Sequence, residues 1–316
     1  MEISEKPLTA HIDEFLQYIE IERGLSQSTQ VNYRRSLYHL KQWLCSQNKE
    51  HAKPHELTTE DIWQYRLYLS RKQDRVGNTV SKKTQNYHLI VLRCLLDYFT
   101  LRDITAISSR KIMLSKINDD KQILKFLDTS QIKLLLETPD ISRSKGLRDR
   151  AIFETLFSTG LRISELVALN RTQFNGIWDQ NDFKVSIIGK GNYPRMVFFS
   201  ERATYWIKEY LKDDSNTYEA LFVSYKDSTN KENRLTARSI ERLMKIYVLK
   251  AGIPTFASPH TIRHSMATNL MEQGVDLRSI QEFLGHRSIV TTQIYTHVTN
   301  KRLHDIHKKF HDGNNF

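Results

Sequence analysis

The chain has 316 residues and is strongly basic, because 47 lysines and arginines outnumber 36 aspartates and glutamates and give a formal net charge of +11. This length allows two domains with separate cores, and the charge favours a polyanionic partner bound in a salt-dependent way. No segment has the length and apolar character of a membrane anchor or export signal, so we expect a cytoplasmic protein without membrane contacts. Two cysteines, Cys45 and Cys94, exclude a disulfide framework, and we expect both to be core thiols.

The positive charge is spread over the whole chain. Before Leu127 there are 20 basic and 15 acidic residues, and from Leu127 onward there are 27 and 21, so the differences of +5 and +6 sum to +11. This distribution is expected if two domains contact one polyanion from opposite sides, rather than a single basic tail making every contact.

The first hundred residues predict a helical bundle. Apolar residues recur at helical spacing over residues 12–19 and again over 37–44. Gly24 separates these two helices. Thr58 or Thr59 is expected to cap a third helix, and a fourth is predicted over residues 81–101.

The beginning of this fourth helix carries side chains suited to phosphate and groove contacts. These candidate DNA-binding residues are Lys82, Lys83, Thr84, Asn86 and His88. A solvated basic helix end would have the same composition, so the sequence alone leaves both interpretations open.

The helical pattern weakens after residue 103, and a new helix is expected to begin at Asp128. Residues 183–188 and 196–199 predict two strands on either side of a Gly-Lys-Gly turn. The predicted fold is therefore mainly α with a small β-sheet. It has an all-helical N-terminal domain (1–110), a linker (111–127) and an α+β domain with a tail helix (128–316).

Six residues of the second domain could together cleave a phosphodiester without a metal ion. They are Arg162, Lys190, His260, Arg263, His286 and Tyr295. Guanidinium groups stay charged and bind phosphate oxygens bidentately, while a tyrosine can attack phosphorus. A lysine whose pKa is lowered by nearby positive charge can protonate the leaving oxygen, and the two histidines can move protons or bind phosphate.

Several of these residues also have simpler interpretations. Glu165 follows Arg162 by one helical turn, so it either orients the arginine or forms a surface ion pair with it. His260 and His264 are spaced like a metal-binding pair, but a third ligand at a typical spacing is missing and two arginines would repel a cation. The sequence also lacks a Gly-x-x-x-x-Gly-Lys-Ser/Thr nucleotide loop. We therefore expect no metal and no cofactor.

The strings around the six residues resemble those of the tyrosine recombinase, or phage-type integrase, family, and especially its Xer-like branch. Residues 159–166 match the string that holds the family's first arginine, with Glu165 at the position of its acidic partner. Residues 189–191 are similar to the family's hairpin lysine, and residues 258–265 to the string of the histidine and second arginine. Residues 284–288, with His286, and 293–297, with Tyr295, are similar to the string that holds the nucleophile. The departures are Ile262, where leucine is commoner, and Pro194 at the hairpin exit.

This resemblance covers nearly the whole chain, since several early residues are similar to the family's DNA-clasping domain. These are Thr29, Tyr33, Leu37, Leu40 and Trp43. The resemblance implies cutting and rejoining of double-stranded DNA at short inverted half-sites, through a 3′-phosphotyrosyl intermediate and a Holliday junction. It also implies a homotetramer, or a heterotetramer with a second recombinase. Both chromosome dimer resolution, which serves chromosome partition, and integration or excision of a mobile element use such domains.

The tail carries an apolar stripe suited to packing on its own domain or on another subunit. It comprises Val298, Leu303, Ile306 and Phe310. The resemblance favours another subunit, and the residues alone leave the choice open.

Three other functions compete with site-specific recombination. A type IB topoisomerase would use a similar set of residues to relax DNA, and a catalytically silent DNA-binding regulator could keep the same fold. A metal-dependent nuclease would be sensitive to chelators.

Overall fold

The computed structural model describes residues 2–73, 77–117, 125–178, 183–189, 193–213, 217–225 and 233–285. Lys190, His286, Tyr295 and the predicted tail helix lie outside these ranges. The chain divides into two compact units, Met1–Gln122 and Ile123–Phe316, and the division falls inside the predicted linker. Within the described ranges, no helix has both the length and the apolar character needed to cross a membrane.

The first unit is a bundle of four α-helices, as the sequence predicts. They are α1 (Ile12–Ile21), α2 (Gln27–Ser46), α3 (Thr59–Arg71) and α4 (Lys82–Leu101). Side-chain caps fix two of the helix starts. The Thr58 hydroxyl accepts the backbone N–H of Asp61 at the start of α3, and Ser81 accepts that of Thr84 at the start of α4. These bonds satisfy N–H groups that have no partner within the helix.

The core of the first unit is rich in aromatic side chains. Phe15, Trp43, Tyr65 and Phe99 are all buried, and the rings of Trp43 and Tyr65 lie 5.1 Å apart. Ile112, in the predicted linker, is fully buried in the same core. The chain after α4 therefore packs back onto its own bundle.

The prediction that both cysteines are core thiols is wrong for Cys45, which is exposed. On α2 the buried face includes Leu40, Trp43 and Leu44, and the next residue along a helix points about 100° away from its predecessor. Cys94 is half-buried and packs against the core of the first unit.

The second unit combines seven α-helices with one hairpin in its described residues. The helices are α5 (Thr129–Glu137), α6 (Ser144–Thr159), α7 (Ile163–Val167), α8 (Glu201–Asp213), α9 (Ala237–Lys250), α10 (Pro259–Glu272) and α11 (Leu277–Leu284). Strands β1 (Lys184–Ile188) and β2 (Pro194–Phe198) pair antiparallel. Asp128 caps α5 by accepting the backbone N–H of Gln131, so the helix begins where the sequence predicts.

Strand β2 begins two residues earlier than the sequence predicts. Pro194 lies opposite Ile188, and the N–H of Gly189 donates to the carbonyl of Tyr193 at 2.8 Å. In an antiparallel pair hydrogen-bonded positions alternate with positions that are not bonded, so the nitrogen of Pro194 faces away from β1. A proline is tolerated there because no ladder hydrogen bond is lost.

Helix α6 runs through the core of the second unit and carries buried ion pairs. Glu154 accepts hydrogen bonds from the Nε atoms of both Arg150 and Arg202. Asp149 is completely buried and binds Arg148 and the hydroxyl of Tyr247. These contacts compensate the cost of burying charge.

Candidate active site

The site begins at a tight turn after α6. Gly160 ends the helix with a φ of +58°, a left-handed conformation that favours glycine. A Cβ atom there would lie 3.0 Å from Leu284 Cδ2 and 3.2 Å from Met266 Sδ. The turn therefore packs closely on α10 and α11, and it places Arg162 at the start of α7.

Glu165 accepts two hydrogen bonds from Arg162. Its Oε2 accepts the backbone N–H of Arg162 at 2.9 Å, and its Oε1 accepts Nη1 of the same residue at 2.9 Å. Glu165 is only 6% exposed, so the pair is not a surface ion pair. Burial alone raises the pKa of Glu165, but the Arg162 backbone N–H and the charges of Arg195 and Arg162 outweigh it and lower the pKa. The carboxylate is thus ionised and orients the guanidinium.

Arg263 on α10 is the second guanidinium of the site, and it is buried. It donates Nη1 to the carbonyl of Gly160 and Nη2 to the carbonyl of Leu284, the latter at 2.6 Å. Arg162 donates Nη2 to the next carbonyl along the chain, that of Gly285, at 3.2 Å. Both predicted arginines therefore bind consecutive carbonyls at the end of α11, directly before His286.

His260 and His264 lie one turn apart on α10, and their Nε2 atoms are 2.8 Å apart. One ring must donate and the other accept. Burial and the charges of Arg263 and Arg162 lower the pKa of His260. Burial, His260 and Arg263 lower the pKa of His264 to about 4. At neutral pH both rings are therefore neutral, so His260 can accept a proton. In the part of the chain that the structure describes, no three His, Cys, Asp or Glu side chains form a group that could hold a metal ion.

Arg195 on β2 also reaches this site, although the sequence did not single it out. Its Nη2 donates to Oε2 of Glu165 at 2.7 Å. A Cβ at Gly285 would lie 2.5 Å from Arg195 Nε, so this side chain packs directly on the glycine. Its one sequence signal is its place in the predicted hairpin, five residues after Lys190.

The structure thus brings together four of the predicted site residues, Arg162, Glu165, His260 and Arg263. Electrostatic effects of both arginines on His260 agree with this placement. Lys190, His286 and Tyr295 lie outside the described residues, but Gly189 and Gly285, which precede the first two, both lie beside Arg195.

The five candidate DNA-binding residues separate into two groups. Lys82, Lys83 and Thr84 are exposed at the start of α4. Asn86 is buried, and its side-chain amide makes two hydrogen bonds to the backbone of Ser115. We therefore expect Asn86 to anchor that segment rather than to bind DNA.

His88 belongs to a polar cluster within the bundle. Its Nδ1 lies 2.7 Å from Ser36 Oγ, and its ring is 5.4 Å from that of His39. Burial, His39 and Lys72 lower the pKa of His88 to about 4. The ring is therefore neutral at physiological pH and cannot attract phosphate by charge.

Two oriented guanidiniums beside a neutral imidazole are suited to binding and transferring a phosphate group. Comparison with known proteins agrees. Residues 125–302 match the phage integrase family, and residues 12–103 match the phage integrase N-terminal SAM-like domain. The chain therefore belongs to the phage integrase family and is a tyrosine recombinase of the Xer type.

Curated relatives are similar to this chain over almost its full length. Tyrosine recombinase XerD of Ralstonia nicotianae is 33% identical over 310 residues, which cover 96% of this chain and 94% of the relative. Tyrosine recombinase XerC of Pelobacter propionicus is 35% identical over 309 residues, which cover 97% of this chain and 96% of the relative. The similarity thus includes both units.

Solved structures share the fold. The crystal structure of the XerH site-specific recombinase bound to its difH substrate matches with a TM-score of 0.70 at 20% identity, covering 96% of this chain and 97% of that one. An integrase of the Tn1549 transposon in complex with transposon right end DNA also reaches 0.70, at 17% identity, with 93% and 99% covered. The mainly helical fold with one small sheet is therefore the one expected from the sequence.

Proposed function

We propose that this protein cuts and rejoins double-stranded DNA at specific sites through a tyrosine linked to a 3′ phosphate. The observation that carries the proposal is the placement of Arg162 and Arg263 on consecutive carbonyls at the end of α11. Their guanidinium orientations are set by buried partners before any substrate arrives. Such preorganisation stabilises charge that develops in a transition state.

In the proposed reaction the phenolic oxygen of Tyr295 attacks the scissile phosphorus. A bond from phosphorus to this oxygen forms as the bond to the 5′ oxygen breaks. Lys190 gives the departing oxygen its proton, and neutral His260 accepts the proton of the phenol. Arg162 and Arg263 bind the non-bridging oxygens, and His286 adds a further contact to the phosphate.

One phosphodiester thus replaces another, and the 5′ hydroxyl of a partner strand can reverse the step. No ATP is consumed, and the two guanidiniums take the place that a metal ion holds in other phosphoryl-transfer enzymes. Exchange of both strand pairs through a Holliday junction would then recombine two DNA sites.

The proposed partner is double-stranded DNA with short inverted half-sites. The basic character of both halves of the chain supports it, as do the exposed Lys82, Lys83 and Thr84 at the start of α4. We propose that four protomers, either identical or of two recombinases, assemble on the DNA and that the tail links them. The substrate would be chromosomal or mobile-element DNA in the cytoplasm.

The test is formation of a covalent adduct on a suicide DNA substrate nicked beside the scissile phosphate. The nick lets the short cleaved fragment diffuse away, so the adduct accumulates. We expect wild-type protein to form the adduct in EDTA and Tyr295→Phe to form none while binding the DNA equally well. Folded wild-type protein that binds the DNA but forms no adduct would contradict the proposal.

The same preparation distinguishes the competing functions. Relaxation of supercoiled DNA by a monomer, without site preference, would indicate a type IB topoisomerase. Cleavage that EDTA abolishes would indicate a metal-dependent nuclease. DNA binding without any adduct would indicate a regulator.

A further inference from the structure

Arg195 is a third guanidinium at the candidate site, and its contacts differ from those of Arg148, a buried arginine of the second unit. Its side chain is 14% exposed and forms an ion pair with Glu165. Its Nε and Nη1 are buried and find no acceptor among the residues that the structure describes. Arg148, in contrast, uses Nε, Nη1 and Nη2 in hydrogen bonds to Asp149 and the Val223 carbonyl.

This difference argues against a purely structural role. A buried donor without an acceptor costs about 1–3 kcal/mol, and more when it is charged. Buried arginines with a purely structural role normally have acceptors for all their N–H groups, and sites that tolerate an unpaired donor tend to be functional. Because these N–H groups have no acceptor in the described part of the chain, they leave the positive charge of Arg195 only partly offset.

The location of Arg195 joins three parts of the site. Through Glu165 it is linked to Arg162, because both arginines bind the same carboxylate. It also packs on Gly285, whose carbonyl accepts Nη2 of Arg162, and its Nε would lie 3.8 Å from a Cβ at Gly189. The two glycines immediately precede His286 and Lys190.

We propose that Arg195 is a positioning residue that holds Glu165 and thereby keeps the Arg162 guanidinium oriented and available to the scissile phosphate. The inference rests on the proposed strand-cleavage function. Two guanidiniums share one carboxylate, so the pair around Glu165 keeps one positive charge in excess. Without Arg195, Glu165 would neutralise Arg162 alone and draw it away from the substrate.

The second unit contains a matched control. Glu154 is also buried and also bound by two arginines, Arg150 and Arg202, with Nε of Arg202 at 2.7 Å. Arg195→Gln and Arg202→Gln therefore each remove one of two arginines from a buried carboxylate. The ion pair of Arg202 is with Glu154 on α6 and involves neither α7 nor the hairpin.

The experiment measures the first-order rate of adduct formation on the nicked substrate at saturating protein, and the Kd for the same DNA by fluorescence anisotropy. We expect Arg195→Gln to lower the rate about 10–100-fold, as losses of supporting residues typically do, with an unchanged Kd. Arg195→Lys should recover part of the rate, because it keeps the charge but loses the planar fork. Arg202→Gln should cleave at the wild-type rate.

A double-mutant cycle tests whether Arg195 acts through Glu165. In a Glu165→Gln background, adding Arg195→Gln should change the rate by less than about threefold, because the shared carboxylate is already gone. Full additivity would overturn the proposal, and so would a wild-type rate for Arg195→Gln. A rise in Kd that accounts for the whole loss would instead indicate direct DNA binding and also overturn it.

Failure of the proposed function has a different signature. If wild-type protein forms no adduct, strand cleavage itself is refuted. If wild-type protein forms the adduct and the Arg195 variants match it, only the positioning role is refuted. Should Arg195→Gln fold poorly, Arg195→Lys carries the same test, since a wild-type rate for it would contradict the need for a guanidinium.

Discussion

Replacing Gly285 by alanine tests the packing on which the candidate site is built. Gly285 has a φ of +62°, which costs an alanine about 1–2 kcal/mol. The new methyl group would also lie 2.5 Å from Nε and 2.7 Å from Cδ of Arg195. These are atoms in the middle of a side chain that Glu165 holds in place, so overpacking should add about 1–3 kcal/mol.

Gly252 provides a control with almost the same backbone conformation. Its φ is +65°, and a Cβ there would meet no atom within 4 Å. Gly252→Ala should therefore lose only the conformational part, about 1–2 kcal/mol, whereas Gly285→Ala should lose about 2–5 kcal/mol in total. Urea unfolding of both variants measures this difference.

Cleavage should separate the two variants further. Because the Gly285 carbonyl accepts Arg162 and its Cα supports Arg195, Gly285→Ala should slow adduct formation at least about tenfold among folded molecules, while Gly252→Ala should not. Equal losses of stability in the two variants, together with wild-type cleavage by Gly285→Ala, would refute the packing described here.

Arg263→Lys should lower adduct formation about 100-fold or more, because one ammonium nitrogen cannot replace Nη1 and Nη2, which bind separate carbonyls from a planar fork. A wild-type rate would argue against the role of Arg263. The pKa of His88 is about 4 in the folded protein, below its usual 6.5, so folding favours the neutral ring. The free energy of unfolding should therefore fall as pH drops from 6.5 to 4. The loss is at most about 3 kcal/mol, and screening of the charge by solvent reduces it further. His88→Gln should remove that part of the pH dependence measured by urea unfolding. Tyr247→Phe removes the hydroxyl donated to buried Asp149 and should cost about 1–3 kcal/mol without changing the cleavage rate per folded molecule.

Local patterns were sufficient to predict much of the fold. Apolar residues at helical spacing and capping residues such as Ser81 and Asp128 depend only on near neighbours in the chain, and helices α4 and α5 begin where these capping residues place them. Cys45 was misassigned because composition near a residue does not say which way the helix turns it. The start of β2 depended on which side of the hairpin Pro194 turns its nitrogen, and this follows from register.

The candidate site was predictable where a residue lies in a recognisable string. The strings single out Arg162, Glu165 and Arg263, and the structure places these residues beside one another, but the burial of Glu165 was not predicted. Arg195 escaped notice because its partners are 30 and 90 residues away in sequence and meet it only after folding. A lone arginine in a strand carries no local sign of such contacts.

The proposed strand cleavage depends on Tyr295 reaching the phosphate that Arg162 and Arg263 bind. The most direct test is to digest the adduct trapped on the nicked substrate and identify by mass spectrometry the peptide that carries the nucleotide. We expect a single modified peptide, joined through Tyr295 to a 3′ phosphate. Attachment at any other residue, or an unchanged adduct yield in Tyr295→Phe, would contradict it.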